Sequence, residues 1–370
     1  MTTKKTGLSF FGKLLLGLNI ILCGAMLLSY LSPVVNPANY WVFSFFGLAY
    51  PILLLLTLVF AVYWVLRKSL WFLLSIIVIA IGWGTLKKNI GLRAAVKPGI
   101  SKDSNTIRIM TYNVHDFKPY GSNNDTSTKN AILDIVNHEQ PDIIGFQEFY
   151  SRKKGKYDMV DTLKKELNTN NYYAEYFESN YLEGIGIAIF SKYPILSHRI
   201  IWLSNKNNEN QCLVIEVKKG DKTFRFYSVH LQSIHFESED YAYLKNVSQH
   251  GQTDMHSTKR LGSKLKNAFI KRSVQVLKIK ADAAQCPYPY IIAGDFNDTP
   301  SSYAVNEMSK GLKNAFYEKG SGFGKTYNGD FPNFQIDYIM ASPQFDILNY
   351  DVVEKRLSDH YPVISDVVLK

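Results

Sequence analysis

Residues 290–300 read YIIAGDFNDTP, and this stretch decides the fold class. Its first four residues are apolar or favour β structure, so they predict a buried strand over 290–293. Asp295 and Asn297 follow the strand directly, where polar side chains emerge from the edge of a sheet. A buried strand that ends in a carboxylate and an amide indicates an α/β domain with a polar cleft at its sheet edge.

The pattern of this stretch recurs on both sides of it. Similar β-rich runs predict strands over 106–114, 142–147, 185–190, 212–218, 224–230 and 335–341. Helical spacing of apolar residues predicts helices over 129–139 and 259–284. Strands and helices that alternate in this way indicate one mixed α/β domain of about 270 residues with two packed sheets.

Polar side chains stand where these predicted strands end or are interrupted. They are Asn113, Glu148, His230, Asp295, Asn297, Asp337, Asp359 and His360. Carboxylate and amide oxygens suit a hard cation such as Mg²⁺, and an Asp–His pair can move a proton near neutral pH. Each residue alone also fits a turn or an exposed position. Their joint placement at strand ends favours a metal-dependent site.

The motifs around these residues resemble those of the endonuclease/exonuclease/phosphatase superfamily. In chain order they are Thr-Tyr-Asn-Val-His, Phe-Gln-Glu, Ser-Val-His-Leu-Gln-Ser, Ala-Gly-Asp-Phe-Asn-Asp, Gln-Ile-Asp-Tyr-Ile-Met and Leu-Ser-Asp-His-Tyr-Pro-Val, and the resemblance spans 106–370. It implies a four-layered α/β sandwich of two packed mixed sheets flanked by helices. It also implies a hydrolase of phosphate esters that uses Mg²⁺, with Mn²⁺ as an alternative.

The same resemblance implies the metal ligands. Glu148 would be the main ligand, with Asn113 beside it and Asp359 close to a second metal position. Whether one or two cations bind stays open on the sequence alone.

Catalytic roles are likewise implied by the resemblance. Asp295 and Asn297 would orient the attacking water and a phosphate oxygen. His360, held by Asp337, would act as general base or as a hydrogen-bond donor to the transition state, and His230 matches a histidine assigned as general acid or phosphate clamp. Which histidine is the acid and which the base stays open.

The substrate class is open too. Nucleic acid, a nucleotide, a phospholipid head group and an inositol phosphate all fit, as diesters or monoesters. Val114 follows Asn113 where AP endonucleases carry glycine, and the His230 motif is nearer to the deoxyribonuclease and sphingomyelinase branches. The alternative function is a catalytically inactive, membrane-tethered binding module of the same fold, against which the intact motifs speak. The sequence indicates no protein partner.

The other histidines and the cysteines are given structural interpretations. The polar stretch 233–258, which holds three histidines, predicts a solvated insertion near the mouth of the site. His115, His138 and His198 are predicted at the surface or at the edge of the core. The three cysteines exclude a disulfide framework and a zinc cluster, and unpaired thiols are favoured over a Cys212–Cys286 bridge.

The first hundred residues form a unit of different composition. They hold nine basic residues and no acidic ones, whereas 101–370 hold 33 basic and 32 acidic residues, which argues against tight binding of duplex DNA. Uncharged apolar runs of at least 18 residues cover 14–31, 40–66 and 69–86. We therefore predict a membrane anchor in 1–100, with three transmembrane helices in the lipid bilayer within 14–86, and a catalytic domain in 101–370. Pro51 is expected to kink the second run, and 87–105 are expected to form a basic linker.

Charges in the short loops predict the orientation. Lys4 and Lys5, with Arg67 and Lys68, favour a cytoplasmic N-terminus and second loop. A multi-pass protein of the cell membrane with an extracytoplasmic, periplasmic catalytic domain follows, although the basic residues of 87–97 oppose this count. A cleaved signal peptide followed by two spans is the alternative, but the first run lacks a small-x-small cleavage site.

Overall fold

The computed structural model describes residues 8–94, 99, 103–118, 126–204, 209–329 and 334–370. Lys4, Lys5 and Lys97, which enter the orientation argument, lie outside the described residues, as do 95–98 and 100–102 of the predicted linker.

The N-terminal unit is entirely helical. Its helices are α1 (Phe10–Ser29), α2 (Pro37–Tyr40), α3 (Val42–Leu48), α4 (Tyr50–Leu66), α5 (Phe72–Ile81) and α6 (Trp83–Asn89). Among the described residues, α1 alone is a single helix long and apolar enough to cross a membrane. The pairs α3–α4 and α5–α6 meet that test only when each is taken as one span bent by 62° or 72°.

The prediction of three continuous transmembrane helices is therefore corrected for the second and third apolar runs. The second run breaks at Ala49, two residues before Pro51 in the first turn of α4, because proline has no N–H to continue a helix. The third run breaks at Gly82, where a Cβ atom would lie 2.0 Å from the Tyr30 ring. The kink expected at Pro51 becomes a boundary between two helices.

Fifteen strands, all within the described residues, begin after this unit. They are β1 (Gly91–Leu92), β2 (Thr106–Asn113), β3 (Ile143–Arg152), β4 (Asn171–Ser179), β5 (Glu183–Ser191), β6 (Ile195–Trp202), β7 (Gln211–Lys219), β8 (Lys222–His230), β9 (Tyr290–Asp295), β10 (Lys313–Asn314), β11 (Ser321–Gly322), β12 (Asp337–Ala341), β13 (Phe345–Ile347), β14 (Asp351–Val352) and β15 (Val363–Leu369). The accompanying helices are α7 (Thr126–Glu139), α8 (Met159–Glu166), α9 (Ser238–His250), α10 (Met255–Ala284), α11 (Tyr303–Ser309) and α12 (Ala315–Lys319).

Two mixed sheets form the centre of the predicted catalytic domain. One has the order β13-β15-β2-β3-β5-β4, with β14 paired to β15, and the other has the order β10-β12-β9-β8-β7-β6. The pairs β2–β3 and β8–β9 are parallel, and the remaining pairs in both sheets are antiparallel. Each sheet thus has a parallel pair near its middle, whose carboxyl ends point to one edge.

Three apolar clusters define four layers. Side chains such as Ile109 of β2 and Phe226 of β8 fill the space between the sheets. Ile132 of α7 packs on the outer face of the first sheet, and Val276 of α10 packs on the outer face of the second. Strands buried on both faces read as nearly continuous apolar runs, which is why the sequence reveals them. The predicted α/β sandwich of packed sheets and helices is confirmed.

Several elements differ from their predictions. β4 and β6 were not predicted because they are edge strands with half-exposed faces and so lack a continuous apolar run. The polar stretch 233–258 contains α9, which begins with a capping box made by Glu237 and Asp240. Within the predicted linker, β1 pairs with β11 of the catalytic domain. All three cysteines are free, as favoured.

The helical unit is docked on the catalytic domain by polar contacts around α11. Lys88 Nζ donates to Asn306 Oδ1 at 2.6 Å, and Asn306 Nδ2 donates to the carbonyl of Pro33 at 2.7 Å. Asn89 Nδ2 donates to Ser301 Oγ at 2.9 Å. The ends of α1 and α6 are therefore fixed to one surface of the catalytic domain.

Candidate active site

The predicted site residues lie where the carboxyl ends of the two parallel strand pairs meet. Asn113 ends β2, His230 ends β8 and Asp295 ends β9. Strand register places them side by side, since His230 is the partner of Asp295 in the β8–β9 pair and Asp337 is the partner of Asp295 in the β9–β12 pair. The structure thus brings both sheets to one polar edge.

Two of the side chains are aimed by unusual backbone conformations. Glu148 has φ of 51° and sits in β3 at a register shift between Phe146 and Phe149, so a β-bulge turns its side chain toward the site. Asn297 has φ of 53°, and its backbone N–H donates to Asp295 Oδ1 at 2.8 Å. Left-handed backbone is unfavourable for side chains other than glycine, and such strain is found where function requires it.

The loop that carries Asp359 and His360 is tied to β2. Ser358 Oγ donates to the carbonyl of Asn113 at 2.9 Å, and the His360 N–H donates to Ser358 Oγ at 3.2 Å. Asn328 Nδ2 donates to the carbonyl of Ser358 at 3.0 Å. These contacts deliver residues from the end of the chain to a site that begins at residue 113.

Asn113 connects the two halves of the site. Its Nδ2 donates to Glu148 Oε1 at 3.0 Å and to Asp295 Oδ2 at 3.1 Å. Asn297 Nδ2 also donates to Asp295 Oδ2, at 3.1 Å. In this arrangement the amide nitrogen of Asn113 faces the carboxylates. For its oxygen to bind a cation on that side, the side-chain amide must flip by about 180°.

Asp337 and His360 form a buried pair. His360 Nδ1 lies 2.9 Å from Asp337 Oδ2, and His360 Nε2 lies 3.6 Å from Asp295 Oδ2. Burial lowers the pKa of His360, but the charges of Asp337, Asp295 and Asp359 outweigh it and raise the pKa well above its usual value. The imidazolium form of His360 is therefore favoured.

At Asp295 the electrostatic environment favours the neutral form instead of the charged form. It is 1% exposed, and burial, with the charge of Asp337 added, raises its pKa to about 6 although His360 and His230 oppose the shift. His230 Nε2 is buried without a hydrogen-bond partner among the described residues, 3.7 Å from Asp295 Oδ2 and 3.9 Å from Glu148 Oε1. A carboxylate that titrates near neutral pH and an unsatisfied histidine nitrogen are typical of a catalytic site.

Sequence reasoning missed His115. We predicted it at the surface or the core edge, yet its Nδ1 lies 3.4 Å from Glu148 Oε2 and 3.8 Å from Asp359 Oδ1. Burial opposes ionisation of Glu148, but the hydrogen bond from His115 and the charge of His230 lower its pKa to about 2. The backbone of His115 has φ of 44°, and no spacing signal in the sequence reveals that turn.

Arg272 was also missed because it lies within the apolar pattern of α10. It is 1% exposed, donates to the carbonyl of Asn297 and lies 3.4 Å from Asp298 Oδ2. A buried guanidinium on that carbonyl holds the left-handed turn that places the Asn297 side chain.

The donor set fits a divalent cation. Four carboxylates, Glu148, Asp295, Asp337 and Asp359, meet here, and their ion pairs among the described residues are all with histidines. This is an excess of negative charge with oxygen donors, which a hard cation compensates.

Asp295, Asp337 and His360 form another possible set of metal ligands, because one ligand atom of each lies within 4.8 Å of the other two. Because Asp337 and His360 already satisfy each other, we favour the side of the site at Glu148 and Asp359 for the cation. The Glu148 side chain, 29% exposed, is also the most accessible of the four carboxylates.

A cavity of about 130 Å³ opens onto these groups. Its lining includes Glu148, Asp295, Asn297, Asp359 and His360. Two larger clefts among the described residues contain none of the eight predicted residues, so the chemistry and the largest opening do not coincide.

Comparisons with known proteins agree with this fold. Among solved structures, an endonuclease/exonuclease/phosphatase from Bacteroides vulgatus is 18% identical, with 72% of this chain and 99% of that chain covered and a TM-score of 0.53. One from Beutenbergia cavernae is 19% identical over 72% of each chain, with a TM-score of 0.52. A mannosyl-6-phosphatase from Bacteroides thetaiotaomicron is 17% identical over 71% of this chain and 100% of that one, with a TM-score of 0.50. At these identities the likeness shows the fold alone.

Sequence families account for both units of the chain. No curated protein matches it. The profile of a domain of unknown function matches residues 12–89, and the profile described as the Endonuclease/Exonuclease/phosphatase family matches residues 110–360. That second match covers more than half of the chain, which therefore belongs to the endonuclease/exonuclease/phosphatase family.

Proposed function

We propose that this chain is a membrane-anchored phosphoesterase that hydrolyses phosphate esters with the help of a bound divalent cation, Mg²⁺ or Mn²⁺. The observation that carries the proposal is the convergence of the predicted residues at one sheet edge, where Asn113 bonds to both Glu148 and Asp295. Membership of a family of phosphoesterases supports the reaction class.

Glu148 and Asp359 would hold the cation, with Asn113 beside them. When bound, the cation neutralises charge on the nonbridging phosphate oxygens and lowers the barrier to attack. Glu148 is suited to this position because its low pKa keeps it ionised throughout the neutral range.

The remaining residues would position the attacking water, stabilise the transition state and transfer protons. Asp295 and Asn297 orient a water, and Asp295 takes its proton as the water oxygen bonds to phosphorus, since a pKa near 6 suits a general base at neutral pH. His360, held protonated by Asp337, donates a hydrogen bond to a phosphoryl oxygen. His230 donates a proton to the ester oxygen as the phosphorus–oxygen bond breaks.

A cation-dependent assay tests the proposal. Full-length protein in detergent should hydrolyse bis-p-nitrophenyl phosphate with Mg²⁺ or Mn²⁺ and lose that activity in EDTA. His360→Ala should lower kcat by about 10²–10⁴-fold, because a donor to the transition state is lost. His138→Ala is the matched control, since that side chain is 72% exposed on α7. Turnover that persists in EDTA would refute the role of the cation, and equal rates for the two variants would refute the proposed site.

The helical unit would be the membrane anchor, with the bent pairs α3–α4 and α5–α6 as the second and third spans. Large apolar side chains lie exposed on its outer faces, for example Ile21 at 70% and Leu55 at 61%, an arrangement suited to lipid. Tyr30 Oη donates to the carbonyl of Val78 at 3.0 Å, so the ends of α1 and α5 lie together on the side of the catalytic domain. Arg67 and Lys68 connect the opposite ends of α4 and α5.

We expect the catalytic domain to lie outside the cytoplasm. Lys88, which opposes this orientation in the sequence count, donates to Asn306 of the catalytic domain. The charges at Arg67 and Lys68 then favour a cytoplasmic second loop. In a bacterial host, alkaline phosphatase fused after Lys370 should be active and a green fluorescent protein fused there should be dark. The reverse result would place the domain in the cytoplasm.

A further inference from the structure

The active-site cavity is lined by apolar as well as polar side chains. Besides its polar groups, the wall contains seven apolar side chains: Leu48, Ile234, Phe236, Leu265, Phe269, Phe334 and Ile336. A phosphate group needs polar contacts only, and a cavity that served the phosphate alone would gain nothing from this wall. The arrangement therefore suits a phosphoester with an apolar substituent.

The helical unit supplies part of this wall. Leu48 ends α3, which belongs to that unit, whereas Leu265 and Phe269 belong to α10 of the catalytic domain. The Phe45 ring of α3 packs edge-on against Phe269 with ring centroids 5.4 Å apart. A Cβ atom on Gly47 would lie 2.9 Å from the carbonyl oxygen of Ser301, so α3 is held in close contact with the catalytic domain. The cavity is thus completed only by the docked helices.

Exposed aromatic residues indicate where this wall lies relative to the membrane. Tyr40 and Trp41 beside α3 are 66% and 37% exposed, and Trp83 of α6 is 47% exposed. All three lie at the ends of the helical unit that face the catalytic domain, and tyrosine and tryptophan concentrate at the membrane–water interface. Lys266 Nζ of α10 lies 4.9 Å from the centre of the Trp41 ring. The cavity therefore lies where the catalytic domain meets the helical unit, next to residues suited to the membrane–water interface.

We infer that the substrate is a phosphoester of a lipid in the anchoring bilayer. Its phosphorus lies at the carboxylate end, and its hydrocarbon chain lies along Leu48, Leu265 and Phe269 toward the membrane. Water supplies the oxygen that bonds to phosphorus, the phosphorus–ester oxygen bond breaks, and the released alcohol takes the proton. This inference rests on the proposed hydrolysis and adds the substrate class.

Two diesters with one leaving group test the inference: p-nitrophenyl ethyl phosphate and p-nitrophenyl dodecyl phosphate, assayed with full-length protein in mixed micelles. The dodecyl ester should have at least about a tenfold higher kcat/KM, since burial of each methylene is favourable. The dodecyl ester is also enriched in the micelles, which by itself favours its hydrolysis. Variants of the cavity wall separate this enrichment from binding of the alkyl chain in the cavity. Leu48→Ala should lower the dodecyl-to-ethyl ratio about fivefold.

The controls use matched leucines. Leu265→Ala, on the catalytic-domain side of the same wall, should lower the ratio as Leu48→Ala does. Leu58→Ala, in α4 with its side chain 43% exposed, should leave both rates unchanged. A ratio that Leu48→Ala and Leu265→Ala leave at the wild-type value overturns the lipid assignment while hydrolysis stands. Failure of the wild-type protein to cleave either ester with any cation overturns the proposed hydrolysis itself.

Discussion

Asp295→Asn should lower kcat by about 10³-fold while it stabilises the cation-free protein. The loss follows because Asp295 is the group that both orients and deprotonates the attacking water in the proposed mechanism. Its Oδ2 accepts from the side chains of Asn113 and Asn297 and its Oδ1 accepts from the Asn297 backbone N–H, whereas asparagine can accept at one oxygen only.

The stabilisation has an electrostatic cause. The pKa of Asp295 rises from 3.8 to about 6 on folding, so the folded protein retains the proton longer than the unfolded chain. Stability therefore falls as pH rises through this interval, and at pH 7 the ionised group costs about 3 kcal/mol by the value of one pKa unit. Allowing for the lost acceptor, we expect a net gain of about 1–2 kcal/mol at pH 7 and none near pH 4.

Thermal unfolding of the full-length protein in EDTA, at pH 7 and pH 4, measures this effect beside the assay. Asp221→Asn, in the exposed turn between β7 and β8, is the control and should change neither activity nor stability. An unchanged kcat for Asp295→Asn would remove Asp295 from the mechanism. Destabilisation at pH 7 would show that its carboxylate is a net structural contributor.

Glu148→Gln should also lower kcat by about 10³-fold, but with the opposite effect on the cation-free protein. Because the pKa of Glu148 is lowered from 4.5 to about 2, folding favours its ionised form. This contribution is fully present above pH 4.5 and is lost as pH falls toward 2. Glutamine keeps the shape yet loses the charge that faces His115 and His230, so the variant should be less stable at pH 7.

Cation-induced stabilisation provides a readout independent of turnover. A cation at 100 times its dissociation constant stabilises a folded protein by about 2.7 kcal/mol, so Mg²⁺ or Mn²⁺ should raise the unfolding temperature of the wild type. The increase should vanish in Glu148→Gln and persist in Glu354→Gln, whose side chain is exposed. An equal increase in both variants would assign the cation to other ligands, with Asp295, Asp337 and His360 the first to examine.

Much of the catalytic domain could be predicted because its central strands are buried on both faces. Such strands appear as apolar runs, and β2, β8 and β9 were predicted close to their observed bounds, whereas β3 extends five residues beyond its predicted end. Edge strands β4 and β6 could not be found in this way, since half-exposed faces dilute the pattern. Helix α9 was hidden because its stretch is polar and has little apolar periodicity.

The site residues likewise differ in whether the local sequence could identify them. Residues at the ends of buried strands, such as Asn113 and Asp295, could be identified from their position alone. His115 could not, because its place in the site depends on a left-handed turn. Arg272 could not either, because in the sequence it is one of many basic residues on an amphipathic helix. The importance of both arises from neighbours distant in the sequence.

The sequence by itself determined the two-unit plan, the layered α/β class and the order of the polar motifs, since all three follow from local patterns of apolar and polar residues. Only the tertiary structure decided that the second and third apolar runs bend and that α3 is docked beside the proposed catalytic residues. Contacts such as that between Phe45 and Phe269 join positions more than two hundred residues apart. Local periodicity carries no information about such pairs, because their approach depends on the packing of whole units against each other.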